Sequence, residues 1–167
     1  NDLVKVIIIK DSPSITKENV ELNEILKNVF NQLSFQIELH KPIIKLHFEK
    51  VAVLNTNKAY LESILLNLLT NAIKYKAENK RLKITIATDQ IDDTVYLTFK
   101  DNGIGIDLER NREKVFGLYQ RFHNYPDSKG LGLYLVKSQL ETMGGTISIE
   151  SEINKGTTFT LSFKNKL

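Results

Sequence analysis

Residues 82–101 read "LKITIATDQIDDTVYLTFKD", and two runs inside that stretch alternate apolar and polar residues with the period of a strand. Leu82, Ile84 and Ile86 share one face of the first run, and Val95, Leu97 and Phe99 share one face of the second. The "QIDD" between them predicts a tight turn, hence a hairpin with one buried face. Downstream, "TISIES" and "TTFTLSF" repeat the alternation around "INKG" and add a second antiparallel pair. Upstream, "IIKLHFE" alternates as well. Helical spacing is interspersed among these strands. Leu22, Ile25, Leu26, Val29, Phe30 and Leu33 predict one amphipathic helix through "VELNEILKNVFNQLSFQIELH", stopped by Pro42. A second helix is expected from about Asn57 to Lys76, with Asn55 or Thr56 as its cap. A third runs through "LGLYLVKSQLETMGG" and closes on Gly144–Gly145. Strands and helices in this order predict an α/β (α+β) two-layer sandwich, one mixed sheet with helices covering one face.

Composition narrows the function classes. The chain has 167 residues, 41% hydrophobic and 26% charged, enough for one domain with a real core. A net charge of +3 with scattered lysines gives no nucleic-acid footprint. Cysteine is absent, which removes disulfides and thiolate metal sites. The run "LVKVIII" near the start is too short to span a bilayer, so no direct membrane contact is expected. Asn1 is not an initiator Met, and the chain reads as a fragment of a longer protein. "DSPSITKEN" reads as a linker, placing one boundary near residues 11–16.

Four stretches can carry chemistry. The first, Leu66–Tyr75 ("LNLLTNAIKY"), sets Asn67, Asn71, Lys74 and Tyr75 on one narrow helical face, opposite Leu65, Leu66, Leu69, Ala72 and Ile73. Such a strip can be a plain wet face, but wet faces favour Glu, Lys and Gln over two asparagines. Asparagine carbonyls suit a hard cation held mainly by phosphate and water. The second, "KDNGIGI", ends a strand at Asp101 and continues with Gly103 and Gly105. A strand-to-loop turn accounts for it alone. A carboxylate at a strand end beside a glycine-lined concavity can also accept an exocyclic amine such as that of adenine. The third, "VFGLYQRF", lies in the long irregular stretch 102–128, where a short helical piece is expected. Phe116, Tyr119 and Phe122 can dock a lid and Arg121 can reach a phosphate, or the aromatics are satellite core. The fourth, "SKGLGLYLV", places Lys129, Gly130, Leu131 and Gly132 at a helix start, where free N–H groups bind phosphate. His40, His47 and His123 show no metal spacing and read as ordinary surface or half-buried residues.

Together, in this order, "NLLTNAIKY", "DNGIGI", "VFGLYQRF" and "KGLGL" resemble the asparagine, first glycine, phenylalanine and second glycine boxes of the GHKL (Bergerat) ATP-binding fold. In detail they resemble the catalytic domain of bacterial sensor histidine kinases, over about residues 16–163. That resemblance implies a mainly antiparallel five-stranded sheet, about three helices on one face and a long ATP lid. It implies ATP and Mg²⁺ as cofactors, with Asn71 on the metal and Asn67 near the same phosphates. Lys74 would touch phosphate and Tyr75 would lie along the nucleotide. Asp101 would read the adenine amine within a pocket shaped by Gly103 and Gly105. Arg121 would lie on the lid near the γ-phosphate, and Lys129, Gly130, Leu131 and Gly132 would cradle phosphates. Residues 1–15 look like the tail of a dimerisation and phosphoacceptor hairpin with its linker, and 16–167 like the catalytic domain. The implied partners are that His-bearing dimerisation domain and a response-regulator receiver domain. The implied location is cytoplasmic, in a fragment expected to be monomeric, whether or not its parent is membrane-anchored.

Two departures stand out. Ser128 occupies the position where the second glycine box usually opens with another glycine, and no phosphoacceptor histidine motif is present. GHKL ATPases and serine kinases carry a glutamate four residues before the metal-binding asparagine, where it can act as general base. That position is Asn67 here, which cannot take a proton, so phosphoryl transfer to an imidazole is favoured over hydrolysis. The alternatives are a nucleotide-gated binding module without transfer activity and a GHKL-type ATPase.

Overall fold

The computed structural model describes residues 15–117 and 132–164. The alternating hairpin forms as β4 (Lys83–Ile91) and β5 (Thr94–Asp101), and Ile91 pairs with Thr94 across a two-residue turn. Asp92 takes φ 54°, the left-handed conformation such a turn requires. The later pair forms as β6 (Thr146–Glu152) and β7 (Gly156–Lys164). With β2 (Ile43–His47) these make a five-stranded sheet in the order β2-β4-β5-β7-β6. Only β2 and β4 run parallel; the other neighbours are antiparallel.

One face of the sheet is apolar because the period-two residues all point the same way. Ile84, Ile86, Val95, Leu97, Phe99, Phe159 and Leu161 are buried in a single cluster with the helices that cover that face. Burying each such side chain contributes about 1.5–3 kcal/mol, so the sheet and its helices form one core. The covering helices are α1 (Leu22–Gln32), α3 (Lys58–Lys74) and, beyond the short α2 (Ser34–His40) and α4 (Leu108–Asn111), α5 (Gly132–Thr142). Of these, α3 is the central piece, burying Leu61, Ile64, Leu65, Leu68, Leu69, Ala72 and Ile73.

Several local expectations shift. The expected long first helix is two helices, broken at Leu33, whose backbone (φ −106°, ψ 20°) leaves the helical region. Beyond the break, Phe35 and Leu39 are exposed, so packing no longer holds one continuous axis. Residues 18–21, which the apolar period assigns partly to that helix, form β1 (Glu18–Glu21) instead. It pairs with β3 (Val53–Thr56) in a separate two-stranded sheet. Because Asn55 and Thr56 lie in β3, the cap of α3 is Asn57, whose Oδ1 accepts from the Tyr60 N–H at 3.0 Å. A short helix α4, capped by Asp107, precedes the helical piece expected around 112–122; residues 112–116 are turn, and 118–122 lie outside the described residues. As expected, a glycine closes α5: Gly144, just past its last residue Thr142, takes φ 79°.

Candidate functional site

The helix α3 and the strand β5 end beside one another, and their junction is backbone against backbone. The Ile104 N–H donates to the Tyr75 carbonyl at 3.0 Å, immediately past the last turn of α3. A Cβ at Gly103 would stand 2.6 Å from that same carbonyl, so only glycine lets the loop approach the helix end this closely. The next glycine is required for a different reason. Gly105 has φ 74°, and a Cβ there would collide with the Glu152 carbonyl of the β6–β7 connection. The loop is also tied to that connection by Asn154 N–H donating to the Ile104 carbonyl at 2.8 Å and by Ile106 N–H donating to Ser151 Oγ at 2.8 Å.

Asp101 closes β5 on the helix-covered face, continuing the row of Val95, Leu97 and Phe99. Its Oδ1 accepts from the Gly103 N–H at 2.8 Å. Burial pushes its carboxyl above the ordinary aspartate range, although the Gly103 and Thr157 backbone N–H groups and the Lys80 charge pull the other way. Asp101 is therefore a carboxylate kept short of solvent, with acceptor capacity to spare. Asn102 braces the same corner from the other side: its Oδ1 accepts from Lys83 N–H at 2.8 Å, and its Nδ2 donates to the Arg81 carbonyl at 3.0 Å.

Along α3, Asn67, Asn71, Lys74 and Tyr75 are half-buried on the expected face. The Lys74 ammonium stands 5.9 Å from the centre of the Tyr75 ring. Gly132 opens α5 next to Asn67, with room for a Cβ 3.6 Å from Asn67 Oδ1. The structure thus brings Tyr75, Asp101, Gly103 and Gly105 into one bonded corner, and Asn67 and Gly132 into another contact. Arg121, Lys129, Gly130 and Leu131 lie outside the described residues, as do Tyr119 and Phe122. Phe116 is described and packs edge-on against Phe159 of β7, ring centres 6.4 Å apart, which is the satellite-core arrangement. His47 is exposed beside Glu49 at 3.5 Å, an ordinary surface position.

Two contributors carry no motif signal. Ser151 and Thr157 enter only through strand register and loop closure, which single-sequence spacing does not reveal, and Asn102, inside the quoted "DNGIGI", gains its bracing role only from its bonds to Lys83 and Arg81. Among the described residues, no three His, Cys, Asp or Glu side chains group as a metal site. Likewise, no helix there is long and apolar enough to cross a membrane.

Comparison with known proteins agrees with this fold. A profile described as "Histidine kinase-, DNA gyrase B-, and HSP90-like ATPase" matches residues 56–167. The heme sensor protein HssS of Staphylococcus saprophyticus is 32% identical over 147 residues, covering 88% of this chain and 31% of that protein. The histidine protein kinase SaeS of Staphylococcus aureus is 27% identical over 167 residues, covering 97% of this chain and 47% of that protein. The chain spans about a third to a half of the length of these curated relatives. Among solved structures, the nucleotide-free catalytic domain of histidine kinase ThkA matches with a TM-score of 0.75 at 23% identity, covering 90% of this chain and 97% of that one. Full-length ShkA in complex with AMPPNP matches with a TM-score of 0.82 at 20% identity, covering 98% and 34% respectively. ThkA in complex with the response regulator protein TrrA matches with a TM-score of 0.77 at 18% identity, covering 99% and 46%. At such identities these structures establish the fold.

Proposed function

The chain belongs to the family of histidine kinase-, DNA gyrase B- and HSP90-like ATPases, and on that premise we propose that it is the ATP-binding catalytic domain of a sensor histidine kinase. It binds Mg-ATP and transfers the γ-phosphate to a histidine on a separate dimerisation domain of the same protein. The phosphoryl group then passes to a response-regulator receiver domain. The observation that carries this reading is the Asp101 corner. A half-buried carboxylate, held by one loop N–H at 2.8 Å and backed by glycines, is an acceptor waiting for a donor. Adenine presents an amine to it; guanine presents a carbonyl, and an acceptor facing an acceptor is rejected.

The asparagine strip supports the other half of the reading. Asn71 offers a half-buried amide oxygen and, among the described residues, no acidic cluster stands near, a donor set that fits Mg²⁺ held chiefly by phosphates and water. When bound, the ion neutralises charge on the transferring phosphates. Asn67 lies beside Gly132, where α5 begins, and both would face the phosphate chain. Lys74 adds a point charge and Tyr75 packs along the nucleotide. Arg121, Lys129, Gly130 and Leu131 complete the phosphate side by resemblance. With an amide at Asn67 in place of a general base, this chain contributes positioning and charge compensation. The acceptor imidazole attacks in line with its own lone pair as the bond to the ADP oxygen breaks. An ATP substrate and a receiver partner place the domain on the cytoplasmic side.

The test is to mix the chain with Mg-ATP and a separately produced His-bearing helical hairpin. Acid-labile phosphohistidine on the hairpin is expected, and its absence under every condition sinks the kinase reading.

A further inference from the structure

Asp101, Thr157 and Ser151 form a row across three strands. Register pairs Asp101 of β5 with Thr157 of β7, and Thr157 in turn with Ser151 of β6. Directly opposite residues share a face, with Cβ atoms about 4.5–5.5 Å apart. All three side chains therefore meet at the helix-covered end of the sheet, where Thr157 is buried.

The hydroxyl protons in this row can be assigned by counting. Ser151 Oγ lies 2.8 Å from the Ile106 N–H, 2.9 Å from the Gly156 carbonyl and 2.8 Å from Thr157 Oγ1. A carbonyl only accepts, so the single Ser151 proton goes to Gly156. The two Ser151 lone pairs then accept from Ile106 N–H and from the Thr157 hydroxyl. Any other assignment sets Ser151 Oγ and the Gly156 carbonyl against each other as two acceptors. The Thr157 proton is thereby directed away from Asp101. The carboxylate receives backbone N–H groups from Gly103 and Thr157 but no hydroxyl proton from its cross-strand neighbour.

We infer that Ser151 is a positioning residue for the base-binding end of the site: it holds the Thr157 hydroxyl turned away from Asp101 and so keeps that carboxylate free for an incoming amine. The same oxygen pins the glycine loop through Ile106. Removing Ser151 frees the Thr157 proton to turn toward its cross-strand neighbour, the Asp101 carboxylate, where it competes with the base. The assignment rests on the adenine reading of Asp101 given above, but its first consequence is visible without nucleotide.

The experiment follows the Asp101 side-chain carboxyl by carbon-13 NMR titration in the 167-residue chain and measures ATP affinity by displacement of a fluorescent ATP analogue. In Ser151→Ala the Asp101 titration moves down, because a hydroxyl donor favours the charged form. ATP affinity there falls roughly tenfold, the scale of one charge-assisted hydrogen bond. In the double variant Ser151→Ala/Thr157→Val the competing proton is gone, so the titration returns upward and affinity exceeds that of Ser151→Ala. Ser151→Thr, which keeps a hydroxyl, titrates as the parent does. A Ser151→Ala chain whose Asp101 titrates unchanged overturns the inference, as does a double variant that recovers nothing. If Ser151→Ala does not fold, Thr157→Val alone decides: an unmoved Asp101 titration supports the inference, and an upward move overturns it. A parent chain that displaces no analogue refutes the nucleotide reading, while the apo titrations still judge the hydroxyl assignment.

Discussion

Asp101 and the two asparagines of α3 face the same proposed ligand from opposite structural conditions. Around Asp101 the backbone is locked before any ligand arrives. The loop bonds to Tyr75, Asn154 and Ser151, and the carboxylate to Gly103. Around Asn67 and Asn71 the structure is left open; among the described residues their side chains make no hydrogen bond. The difference matches the two tasks. Reading a base requires acceptors fixed in advance, since a misplaced acceptor discriminates nothing. Neutralising phosphate and metal charge needs oxygen donors whose partners arrive with the ligand.

The locked corner breaks most severely at Gly105. Alanine there must hold φ 74° and place a methyl group into the Glu152 carbonyl. The left-handed conformation alone costs about 1–2 kcal/mol, and the collision adds to it. Gly105→Ala is expected to lower stability by more than about 2 kcal/mol in urea denaturation and to abolish ATP binding. Near-normal binding would show that the corner is looser than its hydrogen bonds indicate.

Asp101→Asn separates binding from stability. Exchanging the carboxylate for an amide removes a charge-assisted acceptor worth about 1.5–3 kcal/mol, so ATP affinity in calorimetry should fall about 10- to 150-fold. Unchanged affinity would remove Asp101 from the adenine site. Stability should move the other way. Because burial raises the Asp101 pKa in the folded chain, the folded state holds that proton more tightly than the unfolded state does. Its stabilising contribution is complete below the ordinary aspartate pKa and is lost as pH rises through the raised value. At neutral pH a desolvated charge remains, so Asp101→Asn should leave the apo chain at least as stable there. It should also flatten the fall in stability across that acid window.

How much of this was legible in the sequence differs between the two regions. The alternation of residues 82–101 predicts the strands correctly down to which residues are buried, because period two admits one inward set. The spacing of Asn67, Asn71, Lys74 and Tyr75 likewise predicts their shared face. By contrast, β1 escaped, because the helical period of Leu22, Ile25, Leu26 and Val29 begins directly after it and draws Val20 in, while Val20 pairs with Leu54 across thirty-odd intervening residues. The Ser151–Thr157–Asp101 row escaped for the same reason. Residues 101 and 151 are joined by register through a third strand, and although Asp101 stands in a motif of its own, nothing local links it to Ser151. Single-sequence reading recovers what a period or a turn encodes and misses what long-range pairing creates.

The smallest expected effect is the sharpest test of the open region. Asparagine in a helix interior is about 0.5–0.7 kcal/mol less favourable than alanine, because its amide competes for backbone hydrogen bonds. Asn71 is half-buried within α3 and among the described residues gains no side-chain hydrogen bond to offset this. Asn71→Ala should therefore stabilise the apo chain by about 0.5 kcal/mol in urea denaturation. The same substitution removes the proposed amide ligand, so the increase in ATP affinity that Mg²⁺ confers should shrink while metal-free binding through Asp101 persists. A variant that lost both components equally would mean the two ends are one rigid unit. A variant that gained no stability would mean Asn71 is held in the apo chain after all, and the helix would not be carrying it for the ligand's sake.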